Sequence, residues 1–189
     1  MSKSIPDESD CIRILTEAGC KNRVVVHCCT VAAVAEEMLS RIKADRKLVI
    51  AGSLLHDIGR STENGIMHAL VGSEMIKKMG FSEELVSVIR KHTGAGLDDT
   101  DAEELGLPPG DYMPKTIEEK LVAHADNLVS DNRVVKHGHS VDRLRDRGAP
   151  RGADRMEALH WELSRLYGMD LDVILDIVGE YPKLRWISY

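Results

Sequence analysis

Six side chains with metal-ligand chemistry, His27, His56, Asp57, His68, His92 and Asp126, fall where helical periodicity turns them toward apolar faces. His27 lies between Val24 and Val31, at the edge of a stripe that continues through Ala35 and Met38. His56 follows Gly52 and Leu55. His68 opens the stripe of Val71, Gly72 and Met75, and His92 extends that of Leu85, Val88 and Ile89. Asp126 stands four residues after Val122 and three before Val129. A single histidine on an apolar face is ordinarily a hydrogen-bonded core residue. Five segments that each turn a histidine or aspartate inward are a different matter. Asp57 and Asp126 buried without partners would each cost on the order of several kcal/mol, and no Lys or Arg shares their stripes. A divalent cation would neutralise them, and imidazole with carboxylate suits Fe, Mn, Co, Ni or Zn.

The elements that must position these groups are helical. The stripe from Val24 to Ile42 predicts a helix over about 22–44, and Asp45 caps a second that reaches His56 before Gly59. A third runs over about 67–79. A fourth, capped by Ser82, runs to about 92. Residues 93–114, rich in Gly, Pro and Asp, read as a long loop or lid. Thr116 caps a helix spanning IEEKLVAHADNLVSDNRVV, which glycines and Pro150 break over 137–152. Helices over about 153–167 and 170–180 follow, and LRWISY is a weak strand candidate. The expected fold is all-α: one compact helical bundle over 1–189, with a core over 20–135 and a C-terminal helical extension over 136–189.

In the ordered pattern His27, His56-Asp57, Asp126, the segments VVVHCCTVAAVAEEM, LLHDIGR and KLVAHADNL resemble the HD superfamily of metal-dependent phosphohydrolases. HALVGSEMIKKMGF, beginning at His68, and IRKHTGAG, containing His92, resemble the segments that bring two extra histidines to binuclear members. Those include HD-type cyclic dinucleotide phosphodiesterases and bacterial symmetrical diadenosine tetraphosphate hydrolases. The latter share stretches similar to His68-Ala-Leu-Val-Gly72, His92-Thr-Gly94 and Ala125-Asp126 with Arg133 seven residues on. The chain departs from those hydrolases in its 93–114 loop, its HDIG string and its C-terminal region.

The resemblance implies that Asp57 bridges two ions. His27, His56 and Asp126 would complete one, His68 and His92 the other. The implied cofactor is a divalent metal, two ions of Fe or Mn, with Mg, Co, Ni or Zn also admissible. Four neutral imidazoles, two carboxylates and two divalent ions leave about +2 in the site, a field that suits a phosphate ester or anhydride. Such ions lower the pKa of bound water from 15.7 toward ~7. Arg60, one turn after His56, can hold a phosphate oxygen with its fork, and Arg133 is a second substrate-binding candidate. Asp57 and Arg60 are the catalytic candidates. His124, about 160° around the helix from Asp126, and His160 read as packing residues.

The chain has 189 residues, enough to bury a core without disulfides, and is 43% hydrophobic, 30% charged and 4% aromatic. So few aromatics argue against a β-sandwich or barrel. A net charge of −6 excludes a generally basic nucleic-acid-coating protein. Residues 133–155 are locally basic, however, with Arg133, Lys136, Arg143, Arg145, Arg147, Arg151 and Arg155 against three aspartates. They read equally as a solvated face or as a clamp for polyphosphate or RNA. Cys11, Cys20, Cys28 and Cys29 make no disulfide scaffold. No apolar run is long enough for a membrane span, and the start MSKSIPDESD has neither signal nor transit character. The expected setting is a reducing cytoplasm, and the expected partner is a small phosphorylated substrate, a nucleotide in chemical class. The competing expectation is a metal-containing module that docks RNA or a protein.

Overall fold

Local capping chemistry starts most of the helices. In the computed structural model, which describes residues 4–187, α1 (Glu8–Glu17) is capped by Asp7 and α3 (Arg46–Leu55) by Asp45. Ser82 caps α5 (Glu83–Arg90), and Thr116 forms a capping box with Glu119 at the start of α7 (Ile117–Asn127). The remaining helices are α2 (Asn22–Leu39), α4 (His68–Lys78), α6 (Asp99–Glu104), α8 (His137–Asp146), α9 (Pro150–Tyr167) and α10 (Ile174–Val178). Short 3₁₀ turns cover Ile58–Ser61 and Leu171–Val173. Among the described residues the fold is all-α but for one hairpin of two-residue strands, β1 (Val129–Ser130) with β2 (Arg133–Val134), in which Val129 pairs with Val134 antiparallel.

α7 lies at the centre, packed on α2, α3, α5 and α9, and α4 pairs with α5. Leu54, Leu55, Leu85, Ile89, Leu121, Val122, Val31 and Met38 form the apolar interior between them. α2 is buried around most of its circumference because α3, α7 and α10 all pack on it. The four cysteines are free, and Cys11, Cys28 and Cys29 are buried. No helix among the described residues is long and apolar enough to cross a membrane.

Several expected boundaries move. α2 ends at Leu39 and does not run to about residue 44, because the chain turns at Ser40 while Ile42 still buries its side chain. The 93–114 segment is not wholly loop. Asp98 and Asp101 make a capping box for α6, and Ala102, Leu107 and Tyr112 form a small second core there. The helix expected through Val135 stops at Asn127; Asp131, at φ +56°, turns the chain into the hairpin. The break expected over 137–152 contains α8, and α9 begins at Pro150, a residue preorganised for the first helical position. The expected C-terminal helix is a 3₁₀ turn and α10, and residues 184–187 form no strand. The last two residues of LRWISY lie outside the described residues.

Gly59 was expected to end a helix. Its structural role is close approach: a Cβ there would lie 2.0 Å from the His68 carbonyl oxygen and 2.7 Å from the Gly72 nitrogen. That contact seats the turn carrying Asp57 against the start of α4.

Glu119 anchors α7. One carboxylate oxygen accepts from Ser87 Oγ at 2.6 Å and Lys91 Nζ at 3.1 Å, and the other from the amides of Lys115 and Thr116. Glu119 and Lys91 are both buried. Glu119→Ala would leave Ser87 and two backbone amides without their acceptor and take from buried Lys91 one of its two carboxylates, Asp111 at 3.0 Å being the other, so a loss of roughly 3 kcal/mol is expected. That corresponds to a fall in Tm on the order of 10 °C. Burial pushes the Glu119 carboxyl up, but Ser87, the two amides and Lys91 outweigh it and hold its pKa below the ordinary value. Its contribution is therefore present above the unfolded pKa and lost as pH falls. Glu119→Gln should accordingly flatten the acid limb of a stability-versus-pH curve.

Candidate metal centre

The six sequence-predicted ligands converge. His27 comes from α2, His56 from the C-cap of α3, Asp57 from the next position, His68 from the first residue of α4, His92 from just beyond α5 and Asp126 from α7. A backbone carbonyl can only accept, so a ring Nδ1 facing one must carry the proton. Each histidine is fixed in this way. His27 donates from Nδ1 to Asp131, and His56, His68 and His92 donate to Ser53, Gly65 and Ile89 at 2.7, 2.8 and 2.7 Å. All four Nε2 lone pairs are thereby directed inward, the orientation of metal-ligating imidazoles.

Asp57 divides the cluster in two. Its Oδ2 lies 3.8 Å from both His27 Nε2 and His56 Nε2, and those rings face Asp126 Oδ1 at 3.0 and 3.5 Å. Its Oδ1 lies 3.2 Å from His68 Nε2 and 3.7 Å from His92 Nε2. Oδ1 is buried without a hydrogen-bond donor. Two Nε2–Nε2 approaches complete the cluster, His27 to His56 at 3.3 Å and His68 to His92 at 3.0 Å. An orphaned carboxylate oxygen facing convergent imidazole lone pairs is a donor set that fits divalent metal.

The electrostatics agree with that fit. Burial would push the Asp57 carboxyl up, but His56, His68 and His92 outweigh it and hold it well below the ordinary range. Asp126 is likewise lowered: burial opposes ionisation, and His56 and His27 overcome it. Burial pushes His92 down, toward the neutral form that ligates. For His56, burial acts downward while Cys28, Asp57 and Asp126 carry its pKa well above 6.5, so a proton competes with a cation for its Nε2. Metal retention should therefore fall on acidification, as dialysis against buffers of stepped pH with elemental analysis would measure.

Above the cluster opens a cleft of about 590 Å³, with His27, Asp57 and Asp126 at its floor. Arg23, Arg60, Arg143 and Arg147 line it. Arg60 donates from Nε to Asp57 Oδ2 at 2.6 Å and from one Nη to the Asn64 carbonyl, and its other Nη lies 3.3 Å from His68 Nε2. Glu63, three residues on, accepts from the Gly65 amide. Arg133 does not join the site. It pairs with Glu180 at 3.3 Å and lines a separate surface pocket with Val134 and Lys136. The hairpin that replaces the expected helix end carries it there.

The basic 133–155 segment divides by partner. Arg151 and Arg155 are held by Asp98, Asp101 and Glu104, tying α9 to α6, and Arg145 pairs with Glu157. Arg143 and Arg147, a turn apart on α8, are the ones that reach the cleft. Their charge was visible in the sequence, but their selection required the fold. Arg23, four residues before His27 on α2, shares its helix face, a spacing present in the sequence.

Buried imidazoles and carboxylates from five helical segments, gathered around one His-Asp pair, define an all-α metal-binding domain. Residues 24–131 match the HD domain family, and the chain belongs to it. A tRNA (cytidine(56)-2'-O)-methyltransferase of Picrophilus torridus is 45% identical over 172 residues, 91% of this chain and 50% of that protein. An uncharacterized protein of Methanocaldococcus jannaschii is 48% identical over 122 residues, 62% of this chain and 72% of that one. The chain spans about half the length of the methyltransferase relatives it matches. Among solved structures, the HD domain of the L. monocytogenes phosphodiesterase PgpH superposes with a TM-score of 0.57 at 16% identity. It covers 88% of this chain and 98% of that one, a likeness of fold.

Proposed function

We propose that this chain hydrolyses a phosphoester or phosphoanhydride of a nucleotide or dinucleotide, using two divalent ions, Fe or Mn, held by the six ligands. The observation that carries this reading is the arrangement of Asp57: one oxygen faces His27 and His56, whose rings also meet Asp126, and the other faces His68 and His92, beneath an arginine-lined cleft. Ions bound there would supply Lewis-acid stabilisation of phosphoryl oxygens and acidify a water. The chain's own residues do the rest. Arg60 meets the phosphate beside the ligands, and Arg143 and Arg147 hold the remaining negative charge of the substrate farther up the cleft. The relatives support a phosphorylated or nucleic-acid context, since one is named a tRNA methyltransferase and one a phosphodiesterase.

A panel of mononucleotides, cyclic nucleotides and diadenosine polyphosphates, assayed with Mn²⁺ or Fe²⁺, tests the reading. Turnover of one class is expected. The second reading, an RNA-docking module, is favoured by the methyltransferase relatives but weakened by the intramolecular pairing of Arg151 and Arg155. Metal-loaded protein that turns over none of the panel yet binds tRNA would establish it instead.

Two further outcomes are expected. The double variant His68→Ala, His92→Ala should lose about half of the bound metal, because only the His27, His56, Asp126 half keeps its ligands; unchanged metal content would reduce the pair to core histidines. Arg143→Ala and Arg147→Ala should each raise KM about tenfold, the value of one charge-assisted hydrogen bond, with a smaller change in kcat. Steady-state kinetics on the identified substrate would show it.

A further inference from the structure

Behind α7, on the opposite face from Asp126, lies a second cluster that shares no residue with the centre just described. His137 opens α8, His160 sits in the middle of α9, and Asp170 and Asp172 flank the start of the following 3₁₀ turn. One ligand atom from each of the four lies within 4.8 Å of the others. His160 Nε2 is 3.0 Å from Asp170 Oδ1, and His137 Nδ1 is 3.1 Å from Asp172 Oδ1. The two imidazoles stack with centroids 3.6 Å apart.

Two features separate this cluster from an ordinary set of surface ion pairs. His160 is fully buried, and its Nδ1 is engaged by His124 Nε2 at 3.0 Å, which leaves Nε2 to face the carboxylates. The contact differs from those of the first centre, where backbone carbonyls fix the Nδ1 proton; with His124 Nε2 as the acceptor, His160 Nε2 is the free lone pair. In addition, His137 Nδ1 is buried without a hydrogen-bond partner, since its contact with Asp172 lacks hydrogen-bond geometry.

The geometry points to a second, structural metal site in which His137, His160, Asp170 and Asp172 hold one borderline divalent transition ion, Zn²⁺ by preference. Two imidazoles and two carboxylates make a four-coordinate N/O set of the kind that selects Zn²⁺, Co²⁺ or Ni²⁺ over Mg²⁺ or Ca²⁺. Two carboxylates also balance a divalent charge, so the filled site is neutral. Burial, reinforced by His137, lowers the His160 pKa, which favours the unprotonated ring that ligation needs. An ion there would clamp the start of α8 to α9 and the turn after it. Because α8 carries Arg143 and Arg147 into the cleft, the ion would fix the position of both arginines without touching substrate. The site does not depend on the phosphohydrolase reading.

Trp161 makes it measurable, since its ring lies 5.0 Å from that of His160 and 5.8 Å from that of His137. The experiment uses the full chain carrying Asp57→Asn, which empties the first centre, and Trp186→Phe, which removes the other indole. The protein is stripped with chelator and titrated with Ni²⁺ while Trp161 fluorescence is followed. Saturable quenching at one equivalent is expected, with Zn²⁺ competing for the site and raising Tm. Adding Asp172→Asn, which keeps the side-chain shape and an acceptor for the His137 amide, should weaken binding at least tenfold and abolish the Tm rise. His137→Ala should do the same, with circular dichroism reporting the fold. Quenching that does not saturate, or saturable binding unchanged in folded Asp172→Asn protein, would overturn the site. So would a stripped Asp57→Asn protein that takes up no ion.

Discussion

Asp57→Ala is expected to yield a folded protein with almost no bound metal and no hydrolytic activity above background. Each half of the centre has its own imidazoles, but both meet on this carboxylate, whose Oδ1 and Oδ2 face different histidine pairs. Removing His27 or Asp126 takes one ligand from one half. Removing Asp57 takes one from each and also removes the charge that would offset the two proposed cations. Only about 4% of the residue is exposed, so water cannot readily supply the missing ligand field. Asp57→Asn preserves the volume and should show the same metal loss, separating ligation from packing. Elemental analysis decides the matter, since full occupancy in either variant would remove the bridging role.

How much of this was legible beforehand depends on what each residue's role requires. Helix starts were readable because a cap is local chemistry: Asp45, Ser82 and Thr116 each accept from an amide two or three residues on. The six ligands were readable because each lies beside an apolar stripe and their order along the chain matches a family pattern. α6 escaped, although Asp98 and Asp101 carry a capping-box signal, because its acidic sequence has almost no apolar stripe. The hairpin at 129–134 escaped because Val129 and Val134 extend the apolar pattern of α7; the signal against a helix was Asp131-Asn132, a pair suited to a turn. Arg133 was misplaced for the same reason. The second histidine cluster had no sequence signal at all, since its members are spread over 36 positions and meet only after α8 and α9 pack.

Arg60→Ala is expected to lower kcat/KM by 10²–10³-fold, roughly 3–4 kcal/mol, with most of the loss in kcat. Arg60 is half-buried at the edge of the cleft, and its Nε donates to the very carboxylate oxygen that faces His27 and His56. A guanidinium held this way is already oriented, so little entropy is lost when its Nη groups turn from the Asn64 carbonyl to a phosphate oxygen. In the proposed hydrolysis its interaction would strengthen as negative charge accumulates on the phosphoryl oxygens, which places the expected effect in the transition state. Arg60→Lys keeps a positive charge but cannot hold Asp57 and a phosphate at once, so its activity should fall between those of Arg60→Ala and the parent. The alternative is that Arg60 merely positions Asp57, and metal content separates the two. Unchanged occupancy with reduced kcat assigns Arg60 to the phosphate, whereas a parallel loss of metal and activity assigns it to the carboxylate. An Arg60→Ala protein within twofold of the parent in kcat/KM would exclude both roles.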